Sequence, residues 1–265
     1  MSNINKKLYS KVWSAAANFA TMSPGMRWIT YLLEKILKKA DINSIKSVID
    51  VGCGEGSRTF FLKTRIPDAS VLGADFSEAG IEQARKTWCE GISGLEYTCV
   101  EAGDESLWEN KYDLITCFEV LEHLDEWKPI VDKFIKSSNK YILLSFPAGR
   151  MWKYDAISGH VRSFKRGEME DYLTQRGFSK IKTYYAGFPI FNPIMRCMVA
   201  FGYFLKGTKK EDGGGEMMAG IYGKPGLFTK LYSGVFYFLL KYFSTRHIFG
   251  NQFIGLFERI KKEPE

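Results

Sequence analysis

The chain has 265 residues, 45% hydrophobic and 25% charged, with a formal net charge of +7. That length and apolar content bury a full core without metal or disulfide support, which fits one α/β domain carrying additions and excludes a disulfide-stapled miniature fold. The basic residues are spread out, with no dense arginine cluster and no RNA-binding module pattern, so nucleic acid is a disfavoured partner.

The start, Met1 to Lys11, is polar and basic and has no apolar h-region, so a cytoplasmic protein is expected. After a Ser23-Pro24-Gly25 breaker, Trp28, Ile29, Leu32, Leu33, Ile36 and Leu37 recur at helical spacing and predict a helix that docks its apolar stripe on a sheet. β-rich apolar runs follow at Ser47 to Val51, Ser70 to Ala74, Leu95 to Val100, Tyr112 to Phe118 and Tyr141 to Phe146. They alternate with helical stretches such as Glu78 to Trp88 and Trp127 to Ser137, a pattern that gives parallel strands joined by crossover helices. Glu168 to Arg176 reads as a short helix stopped by Gly177, Phe178 to Tyr185 as a sixth strand, and Asn251 to Ile260 as a seventh. Cys53, Cys89, Cys99, Cys117 and Cys197 form no C-x-x-C pair, and several sit in these strands, so they read as reduced thiols.

One segment says most about function. Val48-Ile49-Asp50-Val51-Gly52-Cys53-Gly54-Glu55-Gly56-Ser57 is a buried strand running into a glycine turn and a helix. A ligand packed against such a turn needs backbone without a Cβ in the way, and Gly52 and Gly54 supply it. Asp75, 23 positions beyond Gly52, ends the second strand where a carboxylate accepts both hydroxyl protons of a ribose. The G-x-G-x-x-G spacing is broken at Ser57, and Asp50 before the turn suits a cationic ligand better than a pyrophosphate.

These residues, with Glu101-Ala102-Gly103-Asp104-Glu105 and Tyr112 through Glu122-His123, resemble the motifs of class I S-adenosylmethionine (SAM)-dependent methyltransferases, in the right order over about residues 45 to 186 plus the last strand. The resemblance implies a Rossmann-like α/β sheet of seven mostly parallel strands with helices on both faces, the last strand entering antiparallel between the fifth and sixth. It implies SAM as cofactor. Asp50, Gly52, Cys53 and Gly54 would serve the methionyl end, Asp75 and Phe76 the ribose and adenine edge, and Asp104 and Glu105 the adenine amino group, while Phe118 and Glu119 close the pocket. It also implies a division into an N-terminal helical lid over 1–40 (built from Tyr9 to Met26), a SAM-binding core over 41–188, a helical insertion over 189–249, and a final strand and tail over 250–265.

Glu119-Val120-Leu121-Glu122-His123 stands at the carboxyl end of the fourth strand, where ligands bind in an open α/β sheet. Its i, i+3, i+4 spacing places Glu119, Glu122 and His123 on one side of a helical turn, and His160, in the loop after strand five, is a further candidate. Glu122, His123 and His160 are therefore the catalytic candidates, with His160 and Arg162 facing substrate and His247 left to surface or insert packing. The E-x-x-E-H cluster occurs in ubiquinone-pathway and small-RNA 2′-O-methyltransferases, where the resemblance implies a divalent metal gripping a hydroxyl pair. It also occurs in family members that need none, so no metal ligand is assigned here.

The insertion holds 13 aromatic residues and eight Lys or Arg against three Asp or Glu, so it carries +5 of the chain's charge. It reads either as a folded acceptor cap or as a segment attached at a membrane interface, placing the protein peripherally on the inner face. It does not span, because Pro189, Pro193 and Arg196 interrupt one apolar run and Leu231 to Leu240 is too short. Methyl transfer to a hydroxyl of an apolar, lipid-linked or sugar-linked metabolite, in natural-product or envelope glycan synthesis, is the leading reading. N- or C-methylation of a secondary metabolite, a NAD-type oxidoreductase and a non-catalytic partner-binding module are the alternatives. The sequence does not fix the acceptor or the oligomeric state.

Overall fold

The computed structural model describes residues 22–151, 155, 159–195, 197, 201, 226–247 and 249–261. Its elements, in chain order, are α1 (Pro24–Leu37), β1 (Ser47–Val51), α2 (Ser57–Arg65), β2 (Ser70–Asp75), α3 (Glu78–Trp88), β3 (Leu95–Cys99), β4 (Tyr112–Phe118), α4 (Lys128–Ser137), β5 (Ser138–Pro147), α5 (Glu168–Thr174), β6 (Phe178–Ala186), α6 (Leu227–Phe243) and β7 (Gln252–Arg259). The strands form one sheet in the order β3-β2-β1-β4-β5-β7-β6. β7 runs antiparallel to both its neighbours, and the other pairs are parallel, as the sequence motifs implied.

Each element follows from local chemistry. The central strands β1, β4 and β5 are buried almost throughout, as continuous apolar runs covered on both faces require. α3 starts where Ser77 Oγ accepts from Gly80 N at 3.3 Å, carries Glu78 in its first turn, and ends with Arg85 and Lys86 against the negative end of its dipole.

Two apolar clusters lie on opposite faces of the sheet. Leu62 of α2, Ile81 and Ala84 of α3 and the whole stripe of α1 (Trp28, Ile29, Leu32, Leu33, Ile36, Leu37) fill one. Val131 and Phe134 of α4 with Met169 and Leu173 of α5 fill the other. Each fully buried large side chain contributes about 1.5–3 kcal/mol, so the α1 stripe alone is a major part of the first layer. The outer side of α1 packs against α6. Residues 9–21 of the lid expected upstream lie outside the described residues.

The topology brings the chemistry to one edge. β1, β2, β4, β5 and β6 all point their carboxyl ends the same way, and β7 begins there because Gln252 pairs with both Pro147 and Ala186. The glycine turn, Asp75, the Glu119–His123 segment, the loop after β5 and both ends of the insertion therefore meet along this rim.

Candidate active site

The turn after β1 is pinned from beneath. Gly52 N and Cys53 N both donate to Ala74 O, at 2.7 and 3.1 Å. Gly54 N donates to Asp75 Oδ2 at 2.9 Å, and Ser77 N to Asp75 Oδ1 at 2.8 Å. Burial pushes the Asp75 carboxyl up to about 6, against these two bonds, with the nearby Asp50 carboxylate adding to the rise. On the far side, Tyr97 donates its hydroxyl to Gly56 O and Trp88 its ring N–H to Glu55 O, each at 2.9 Å.

Asp50 is held behind this turn. Its two carboxylate oxygens accept from Thr59 Oγ1 and Thr116 Oγ1, each at 2.7 Å, and only 1% of the residue is exposed. It thus ties β1 to β4 and to α2, and its charge acts on the turn through the protein. Burial raises its pKa, with the two threonines working against that rise. The Cys53 thiol is pushed up by burial and then by the Asp75 charge, so it is a neutral wall.

Gly52 has φ +76°, and a Cβ placed there comes 2.2 Å from Val120 Cγ2. Gly52→Ala is therefore expected to lose about 1–2 kcal/mol to backbone strain and about 1–3 kcal/mol to overpacking. Denaturant titration should show a lower midpoint at unchanged slope, with weakened binding of S-adenosylhomocysteine.

Phe76 follows Asp75 half-buried, and Phe118 ends β4 buried. Asp104 and Glu105 stand on the surface beyond β3. Asp104 caps the short turn Glu105–Trp108 by accepting from Ser106 N at 2.9 Å, and Glu105 pairs with Lys133.

The Glu119–His123 segment departs from the single helical turn that its spacing suggested. Glu119 has φ +60°, and a 3-10 turn begins only at Leu121. This left-handed residue swings the Glu119 carboxylate out of the cluster, where its Oε1 accepts from Ser145 Oγ and Gln252 Nε2, each at 2.7 Å. The groups that do converge are Glu122, His123 and His160, each offering a ligand atom within 4.8 Å of the others.

Glu122 and His123 of this cluster are buried and His160 is partly exposed. Glu122 is 0% exposed, and among the described residues neither of its carboxylate oxygens has a hydrogen-bond partner. Burial, and then the Glu119 charge, push its carboxyl well above the usual range. His123 lies 3.0 Å by Nδ1 from Gly159 O. A carbonyl only accepts, so Nδ1 carries the proton and Nε2 presents its lone pair, 3.9 Å from Glu122 Oε1. Burial lowers the His123 pKa to about 4, which keeps the ring neutral. The His160 ring meets His123 edge to face at 4.8 Å, and its Nδ1 is 3.8 Å from Asp155 Oδ1.

Several parts of this arrangement escaped sequence reasoning. Ser145 and Gln252 hold Glu119 from strands far apart in the chain, and only the sheet register reveals them. Asp155 is buried beside His160, and an acid five positions before a loop histidine was its signal. Arg162, expected to face substrate, instead donates to Leu124 O at 3.0 Å and to Asp125 O, so it fastens the loop after β5 to the rim. His247 is exposed and meets the Tyr184 ring at 5.8 Å.

Comparison with known proteins agrees with this fold. A family model described as a methyltransferase domain matches residues 25–183. A ubiquinone biosynthesis O-methyltransferase of Idiomarina loihiensis is 30% identical over 125 residues, 46% of this chain and 46% of that protein. A malonyl-(acyl-carrier protein) O-methyltransferase of Acetivibrio thermocellus is 31% identical over 106 residues, 40% of this chain and 36% of its own. The chain thus spans less than half the length of these two curated relatives. Among solved structures, the magnesium protoporphyrin IX methyltransferase of Synechocystis PCC 6803 with bound S-adenosylhomocysteine has a TM-score of 0.51 at 19% identity, over 60% of this chain and 75% of its own. The (4+2)-cyclase SpnF has a TM-score of 0.59 at 15% identity, over 88% and 81%. At these identities the structures speak for the fold alone. With the motifs, the strand order and a family model covering more than half of the sequence in agreement, the chain belongs to the class I SAM-dependent methyltransferases.

Proposed function

We propose that this protein transfers the methyl group of SAM to a hydroxyl of an apolar small molecule, lipid-linked or sugar-linked. The observation that carries this reading is the Glu122–His123–His160 cluster, its first two members buried, on the same sheet edge as the glycine turn and Asp75. Asp75 clasps the ribose, with Phe76 and Phe118 along the nucleoside. Asp104 and Glu105 reach the adenine amino group, and the Gly52–Gly54 turn lies under the methionyl end with Asp50 behind it. Arg58, on the first turn of α2, has a buried Nε–H without an acceptor among the described residues and takes the methionyl carboxylate.

In the reaction the acceptor oxygen attacks the methyl carbon, the carbon–sulfur bond breaks, and its electron pair stays on sulfur as neutral S-adenosylhomocysteine. Holding the two reactants in line supplies much of the acceleration. The hydroxyl proton goes to His123 Nε2, and the Gly159 carbonyl on Nδ1–H supports the imidazolium that forms.

The same three residues fit a divalent metal, since two imidazoles and a buried carboxylate with unused oxygens make a suitable donor set. Glu122, His123 and His160 would hold it, and it would acidify a hydroxyl bound to it. Chelation tells the two routes apart: turnover retained in EDTA leaves the proton with His123 alone, whereas turnover lost to EDTA and restored by Mg²⁺, Mn²⁺ or Zn²⁺ assigns the metal.

An acceptor of this kind reaches the rim beside Phe188 and Phe249, between the ends of β6 and β7, with the protein peripheral at a membrane. The test of the reaction is transfer from methyl-labelled SAM into fractionated metabolite extracts. Label should enter the organic phase as an acid-stable ether. Label appearing only on amines overturns the reading.

A further inference from the structure

We propose that α6 is an interfacial helix that lies flat on an anionic bilayer and turns the catalytic rim toward the lipid. This rests on the apolar-acceptor reading above and names the surface from which that acceptor comes.

The helix has two different faces. Ser233 and Leu240 are buried against α1, Arg27 Nη1 donates to Ser233 Oγ at 3.2 Å, and the Arg27 guanidinium sits 4.3 Å over the Tyr237 ring. On the opposite side Leu227, Phe228, Leu231, Val235, Phe238 and Tyr242 are between 48% and 84% exposed. At about 100° per residue these six fall in one stripe about 100° wide, opposite the protein-facing side. Two further exposed aromatics, Phe188 and Phe249, pair at 5.9 Å where β6 ends and β7 begins, so the apolar surface continues onto the rim.

Charge selects the occupant. α6 contains no acid, and Lys230 and Lys241 both flank the stripe on the same side, about 90–110° from its centre. That is the pattern of a helix with its apolar face in the acyl boundary and its lysines reaching phosphate. Two copies packed stripe to stripe would bring only lysines to the edge, with no acid from either α6 to pair them. Spanning is excluded for α6, which has 17 residues where about 20 are needed, and no helix among the described residues is long and apolar enough to cross a membrane.

The test is co-sedimentation of the full chain with phosphatidylcholine vesicles, with or without about 30% phosphatidylglycerol, since each basic residue near an anionic surface strengthens partitioning about fivefold. Wild type should pellet with the anionic vesicles and release as salt rises. Leu231→Gln with Phe238→Gln should weaken binding at least tenfold, and Lys230→Glu should remove most of the anionic preference. These side chains are exposed, so S-adenosylhomocysteine affinity by calorimetry should stay at the wild-type value in every variant. Loss of that affinity in wild type would instead sink the cofactor reading while leaving vesicle binding standing. Wild type that ignores both vesicles overturns the proposal: light scattering then reports a dimer if a second copy covers the stripe, or a monomer if another part of this chain does. Vesicle binding that the glutamine pair leaves unchanged overturns it as well.

Discussion

His123→Asn is expected to slow methyl transfer by about 10²- to 10⁴-fold, the usual contribution of a positioned general base. Asparagine is the informative replacement, because its amide N–H can still donate to Gly159 O, which the Nδ1 proton now satisfies. His123→Ala would leave that carbonyl without its donor in a 3% exposed site, at a cost of about 1–3 kcal/mol in stability, and would mix folding with catalysis. His123→Asn removes only the Nε2 lone pair. S-adenosylhomocysteine affinity should then match wild type while kcat falls and KM for the acceptor changes little, the signature of an interaction made in the transition state. A variant within tenfold of wild type in kcat would remove His123 from the chemistry. Glu122→Gln should cost less, since burial holds this carboxyl neutral and the amide keeps its packing.

The sheet was legible in the sequence because parallel strands buried on both faces write themselves as continuous apolar runs, and Tyr112–Phe118 and Glu78–Trp88 are read to the residue. The cofactor turn was legible for a similar reason, since only glycines accept the torsions and close contacts around Gly52. Residue spacing failed where the backbone left the regular menu. Glu119 at φ +60° breaks the i, i+3, i+4 argument, and the carboxylate that the pattern placed in the cluster is instead fastened to β5 and β7. Its place is taken by His160, 37 positions beyond His123, which local spacing cannot align. The two readings of the insertion, a packed cap and an interfacial segment, turned on which face of α6 is covered. Both carry the same composition, so the sequence could not tell that Ser233 and Leu240 pack against α1 while the opposite stripe stays exposed.

Asp75→Ala is expected to weaken S-adenosylhomocysteine binding by at least about a hundredfold, because two hydrogen bonds to a charged acceptor are lost at about 1.5–3 kcal/mol each. In the unliganded protein those acceptor positions hold Gly54 N and Ser77 N, so the carboxylate is already aimed across the glycine turn. Ribose hydroxyls would join the same two oxygens. The pH dependence checks the assignment independently. Ribose binding needs the carboxylate, and burial has raised this group from 3.8 to about 6. Affinity should therefore be full above pH 6 and fall by up to tenfold per unit below it. Stability of the unliganded fold runs the other way: a carboxyl raised above its unfolded value contributes stability below about pH 4 and loses it as pH climbs through 6. Asp75→Asn, which keeps one acceptor but cannot ionise, should bind weakly at all pH values and flatten both profiles. Calorimetry between pH 5 and 8 distinguishes the cases, and an affinity in the Asn variant that still falls through pH 6 would assign the titration, and with it the ribose, to another group.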